Sequence, residues 1–130
     1  ENALSVCRRL LKRGGYLAES ELCWLRDDPP EELRLFLQRE YPGIKMVGDN
    51  IQCIAETGYD LLGHFTLPDR AWWGDYYIPM RKRLKELRVK YTDCPNALAL
   101  FAEADREMDM RRKYARWYGY EFFLCRCPLG

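Results

Sequence analysis

The sequence predicts an α/β fold in which helices alternate with a small, mostly buried sheet. Two observations carry that reading. An amphipathic helix ends on Gly14-Gly15 and leads straight into an apolar run, and further apolar runs of strand length recur at residues 59–67 and 120–127 with helical periodicity filling the intervals.

In order along the chain, Leu4, Val6, Leu10 and Leu11 fall at helical spacing within residues 3–12. Arg8, Arg9, Lys12 and Arg13 gather toward the end, where cations complement the negative pole of a helix. Gly14 and Gly15 stop that helix. Residues 16–25 form an apolar run interrupted by Glu19 and Glu21, and their length and flanking glycines favour a strand. Asp27-Asp28-Pro29-Pro30-Glu31-Glu32 reads as a helix start, because Asp caps free amides, Pro suits the first turn and acids complement its positive end. Leu33, Phe36 and Leu37 supply its apolar face. A further helix is expected over 47–56, with Ile51 and Ile54 inward and Thr57-Gly58 as its stop. Residues 59–67 are the second strand. Beyond Pro68-Asp69, Trp73, Tyr77, Met80, Leu84 and Leu87 recur at three- and four-residue spacing up to about Lys90, which predicts one long helix. Leu98, Phe101, Ala104, Met108, Tyr114 and Trp117 predict a second, ended by Gly119, and residues 120–127 are the third strand. Three strands are few for an α/β sheet, so the first is expected to need a neighbour that this sequence does not supply.

With 130 residues, 48% of them hydrophobic and 32% charged, the chain suits one folded domain and not a disordered segment. Lys and Arg number 21 against 20 Asp and Glu, so a net charge of +1 implies neither nucleic acid nor a membrane as partner. No apolar stretch approaches the roughly 18–20 residues of a membrane span, and no signal pattern opens the chain, so a cytoplasmic location is expected. The first residues, from Glu1, already read as mid-domain helix, which implies processing or a preceding part. Six cysteines without a C-x-x-C pair, and the single histidine His64, make a metal site unexpected and buried reduced thiols the expectation.

The segment Leu10-Leu11-Lys12-Arg13-Gly14-Gly15-Tyr16-Leu17-Ala18 resembles the L-K-P-G-G helix–turn–strand segment of class I S-adenosylmethionine-dependent methyltransferases, with Arg13 in place of the proline. Ser20-Glu21-Leu22, Tyr41-Pro42, Asn50, Gly58-Tyr59, Leu67-Pro68, Ala71-Trp72-Trp73 and Tyr76-Tyr77 follow in the order of one subgroup of that family. The resemblance implies a partial Rossmann-like fold over residues 1–130, the C-terminal part of a methyltransferase domain. Its three strands would be the fifth to seventh of a seven-stranded sheet, the last antiparallel, with a helical-hairpin cap inserted over residues 69–119. It also implies S-adenosylmethionine as cofactor of the complete enzyme. The glycine-rich loop that holds it follows a strand and opens a helix, whereas Gly14-Gly15 follows a helix and opens a strand, so this chain alone is expected to bind no cofactor.

The candidate substrate-binding residues are Glu21, Trp24, Trp72 and Tyr76. Glu21 ends the first strand, where a carboxylate could orient an acceptor amine or hydroxyl or act as a base, and Trp24 could wall the acceptor. Helical spacing puts Trp73 and Tyr77 on the core stripe and leaves Trp72 and Tyr76 for the substrate, where aromatic faces suit an apolar group or a sulfonium cation. His64 has no nucleophile motif around it and is read as structural, and Arg81-Lys82-Arg83 and Arg111-Arg112-Lys113 as solvated faces. Two functions follow: methyl transfer to a small-molecule acceptor once joined to a missing N-terminal half, or a non-catalytic module that pairs into a homodimer through its open sheet edge.

Overall fold

In the computed structural model, which describes residues 2–130, the chain forms two compact units. One contains the chain up to Leu67 together with Arg116–Gly130, and the other is Pro68–Ala115.

The first unit opens with α1 (Ala3–Leu10), whose free amides are capped where the Asn2 side chain accepts from the Ser5 N–H at 2.9 Å. Gly14 follows with φ +72°, and a Cβ there would meet the Leu129 side chain at 2.7 Å, so the turn takes glycine for both conformation and space. The turn is tied to the other end of the chain: the Gly14 N–H donates to the Cys127 carbonyl at 3.0 Å, and the Cys127 N–H to the Gly15 carbonyl at 2.8 Å. β1 (Tyr16–Trp24), α2 (Glu31–Glu40), β2 (Lys45–Met46), α3 (Val47–Glu56), β3 (Asp60–Thr66) and β4 (Tyr118–Arg126) complete the unit.

The sheet order is β2-β1-β4-β3, with β4 antiparallel to both β1 and β3 and β2 parallel to β1. Four strands form where three are expected. The extra one is two residues long, too short to show any alternation in sequence, and pairs with β1 only at Cys23 and Trp24. Among the described residues, the rest of that edge of β1 has no strand beside it. One core cluster lies on a single face of the sheet: Cys23, Phe123 and Cys125 from the strands and Cys127 just past β4 meet Ile54 and Tyr59, with Leu4, Leu11, Val47 and Ile51 packed on them. Cys125 and Cys127 share that face by two-residue alternation, and all six thiols are free. α2 begins at Glu31 with Pro30 as its cap residue, three residues later than an Asp27 cap would start it.

In the second unit the single long helix expected from Trp73 to Lys90 is broken into α4 (Asp69–Trp72), a π-helical turn (Trp73–Tyr77) and α5 (Ile78–Lys90), followed by α6 (Pro95–Tyr114). The Ile78 N–H donates five residues back, to the Trp73 carbonyl. Pro79 supplies the reason. It has no N–H to give the Asp75 carbonyl and its ring would crowd that carbonyl, so the turn before it widens.

Candidate functional site

Alternation along β1 sends Glu19, Glu21 and Cys23 to the core face and Trp24 to the opposite one, so Glu21 and Trp24, three residues apart, do not converge. Trp24 sits half-buried across from Tyr118 and Met46. Glu21 is exposed and lines a cleft of about 110 Å³ with Glu19, Lys45, Asn50 and Cys53, at the start of α1. The Asn50 amide donates to Cys23 Sγ and to the Met46 carbonyl, both at 3.2 Å, which fixes its side chain beside the cleft. Burial, and then the charge of Glu21, raises the Glu19 carboxyl above its ordinary value. Burial, with the carboxylates of Glu121 and Glu21, pushes the Cys23 thiol up to about 11, so at neutral pH it is a protonated thiol and not a nucleophile.

Directly opposite Glu21 in the register, Glu121 of β4 faces Thr66 of β3. Glu121 is only 3% exposed, and its carboxylate accepts from the Thr66 hydroxyl at 2.5 Å while Nδ1 of His64 lies 2.7 Å from its other oxygen. Sequence reading placed His64 as structural without finding its partner, because the two residues are 57 apart in the chain and meet only through the β3–β4 pairing.

In the helical unit, the π turn changes which aromatics share a face. In an α-helix Trp72 and Tyr77 would be about 140° apart, yet both are buried with ring centroids 6.0 Å apart. Trp72 is therefore a core residue alongside Tyr77, where helical spacing had put Trp73. The Arg111 guanidinium lies 4.1 Å over the Trp72 ring and pairs with Asp69 at 3.0 Å, so a face suited to a cation already holds one. Tyr76 is half-exposed against Tyr77, and burial followed by the charge of Glu107 raises its hydroxyl pKa. Tyr77 donates to Glu107 at 2.9 Å. Of the four candidates, Glu21 and Tyr76 remain open to solvent, and they lie in different units. Among the described residues no group of three or more metal-ligating side chains gathers, and no helix is long and apolar enough to cross a membrane.

Comparison with solved structures decides the fold. The phosphoethanolamine N-methyltransferase 2 of Haemonchus contortus, in complex with S-adenosyl-L-methionine, superposes with a TM-score of 0.72 over 96% of this chain and 29% of its own, at 17% identity. The chain has the methyltransferase fold. The same fold matches an S-adenosylmethionine-dependent methyltransferase of Thiobacillus denitrificans, in complex with S-adenosyl-L-homocysteine, at TM-score 0.68, 14% identity, 96% of this chain and 52% of that one. YjhP of Escherichia coli matches at TM-score 0.72, 18% identity, 94% of this chain and 49% of its own. This chain thus spans about half, or less, of the length of each of these three proteins. No family model matches the sequence, and no curated protein is significantly similar to it.

Proposed function

We propose that the chain supplies the substrate side of an enzyme that transfers a methyl group from S-adenosylmethionine to a small-molecule acceptor. The carrying observation is the superposition of nearly the whole chain on about half or less of such enzymes, two of them holding the cofactor or its product. At identities of 14–18% a shared fold does not by itself fix a substrate, so the acceptor is argued from the site. Glu21, exposed near the carboxyl end of β1 beside a cleft lined by Glu19 and Asn50, can orient an acceptor amine or hydroxyl and take up its proton. The helices within residues 69–119 form the cap, with Tyr76 as its open aromatic. Cofactor binding falls to a part outside the region matched here.

The test is kinetic. In a complete enzyme, Glu21→Gln is expected to lower kcat/KM for the acceptor by about tenfold or more without changing the affinity for S-adenosylmethionine. Unchanged acceptor kinetics would remove Glu21 from the site. A second reading, a non-catalytic module that pairs with another copy, is favoured by the strand-free edge of β1 from Tyr16 to Leu22.

A further inference from the structure

The whole-chain charge of +1 conceals a local excess on α5. Between Arg81 and Lys90 stand six cations, Arg81, Lys82, Arg83, Lys85, Arg88 and Lys90, against the single acid Glu86. Two are neutralised: Arg83 pairs with Glu86 at 2.6 Å and Arg88 with Asp105. Among the described residues, no carboxylate lies within ion-pair distance of Arg81, Lys82, Lys85 or Lys90, and all four are exposed.

Helical geometry sorts these residues further. Leu84 is buried and Met80 and Leu87 are half-buried, defining the inward face of α5. The opposite face carries Ile78, Lys82, Lys85 and Val89, spaced four, three and four residues apart, with Arg81 at its margin. Ile78 is 50% and Val89 80% exposed, although aliphatics on the outer face of a surface helix have nothing to pack on. At the same end of the hairpin as Val89, where Tyr91 meets Phe101 with ring centroids 6.5 Å apart, Leu100 is 71% exposed.

We infer that the outer face of α5, with the hairpin end at Val89 and Leu100, is a docking surface for an anionic lipid bilayer. Charge complementarity names the partner's sign, since Lys82 and Lys85, with Arg81 at the margin, have no carboxylate within ion-pair distance among the described residues, and Glu86, one turn from Lys82, is held by Arg83. The exposed aliphatics name its kind. A nucleic-acid backbone or an acidic peptide rewards the cations alone, whereas a bilayer interface takes up cations at the headgroups and aliphatic side chains just beneath them. This docking is peripheral and independent of the methyltransferase reading.

Co-sedimentation of the full chain with vesicles of phosphatidylcholine, with and without 30% phosphatidylserine, tests it. Binding is expected only to the anionic vesicles at about 0.1 M salt, and most of it is lost at 1 M, where the screening length falls to about 3 Å. Lys82→Glu with Lys85→Glu is expected to weaken binding at least tenfold. Ile78→Ser with Val89→Ser should weaken it severalfold at unchanged charge, and thermal melts should show both variants folded, because these side chains are exposed. Absence of binding to anionic vesicles, equal binding to neutral ones, or binding untouched by the charge reversal overturns the inference. So does binding untouched by the serine pair, which would make the face a plain polyanion contact.

Discussion

Tyr77→Ala is expected to destabilise the helical unit by about 3–5 kcal/mol, the range for removing a fully buried large aromatic from a packed core. Tyr77 is fully buried, its hydroxyl donates to Glu107, and its ring meets Trp72, Trp73 and Tyr76 at 6.0, 5.2 and 5.0 Å between centroids. Tyr76→Ala removes a half-exposed ring whose packing on Tyr77 is worth about 1 kcal/mol. Chemical denaturation of the two variants therefore separates them by at least about 2 kcal/mol. Trp72→Ala should side with Tyr77, since the π turn carries both rings into the core. A neutral Trp72→Ala would show that this part of the chain keeps ordinary α-helical spacing, and equal losses for Tyr76 and Tyr77 would contradict their difference in burial.

The second large effect is expected in the sheet, where two acids stand opposite each other in register and differ mainly in burial. Glu121→Ala should cost about 3 kcal/mol. Each hydrogen bond to a charged acceptor contributes roughly 1.5–3 kcal/mol, and the two from Thr66 and His64 are discounted because water can reach half-exposed His64. Glu21→Ala, at an exposed position without an ion pair among the described residues, should stay within about 0.5 kcal/mol of the parent. Urea titrations of both variants supply the comparison. A Glu121 variant as stable as the Glu21 variant would mean that the cluster of Glu121, His64 and Thr66 holds nothing together.

What sequence made legible was local. The Gly14-Gly15 turn, the apolar runs that became β1 and β3, the helix over 47–56 and the shared face of Cys125 and Cys127 follow from two-residue and helical periodicities, which are written in neighbouring residues. Lys45–Met46 is too short to carry a period, so β2 was missed. The π turn left a signal that spacing alone does not register: Pro79, just past the aromatics, cannot donate to Asp75. Reading that proline would have exchanged Trp72 for Trp73 in the core. Glu121 and His64 were invisible as a pair, because β4 joins β3 only after the whole helical unit has intervened. Glu21 and Trp24 were grouped by nearness in sequence, although three residues along a strand lead to opposite faces. A net charge of +1 sums over the whole chain and so does not register that six cations against one acid gather between Arg81 and Lys90.

Where the cofactor is held can be measured directly, by calorimetric titration of S-adenosylmethionine into the chain at its verified mass of 15.5 kDa. No saturable heat is expected at micromolar concentrations, because among the described residues no strand leads through a glycine-rich loop into a helix that could cradle the nucleoside. A longer polypeptide that joins this chain to a cofactor-binding half should bind with micromolar affinity. Micromolar binding by the 130-residue chain itself would contradict the proposal that it supplies the substrate side of a larger enzyme.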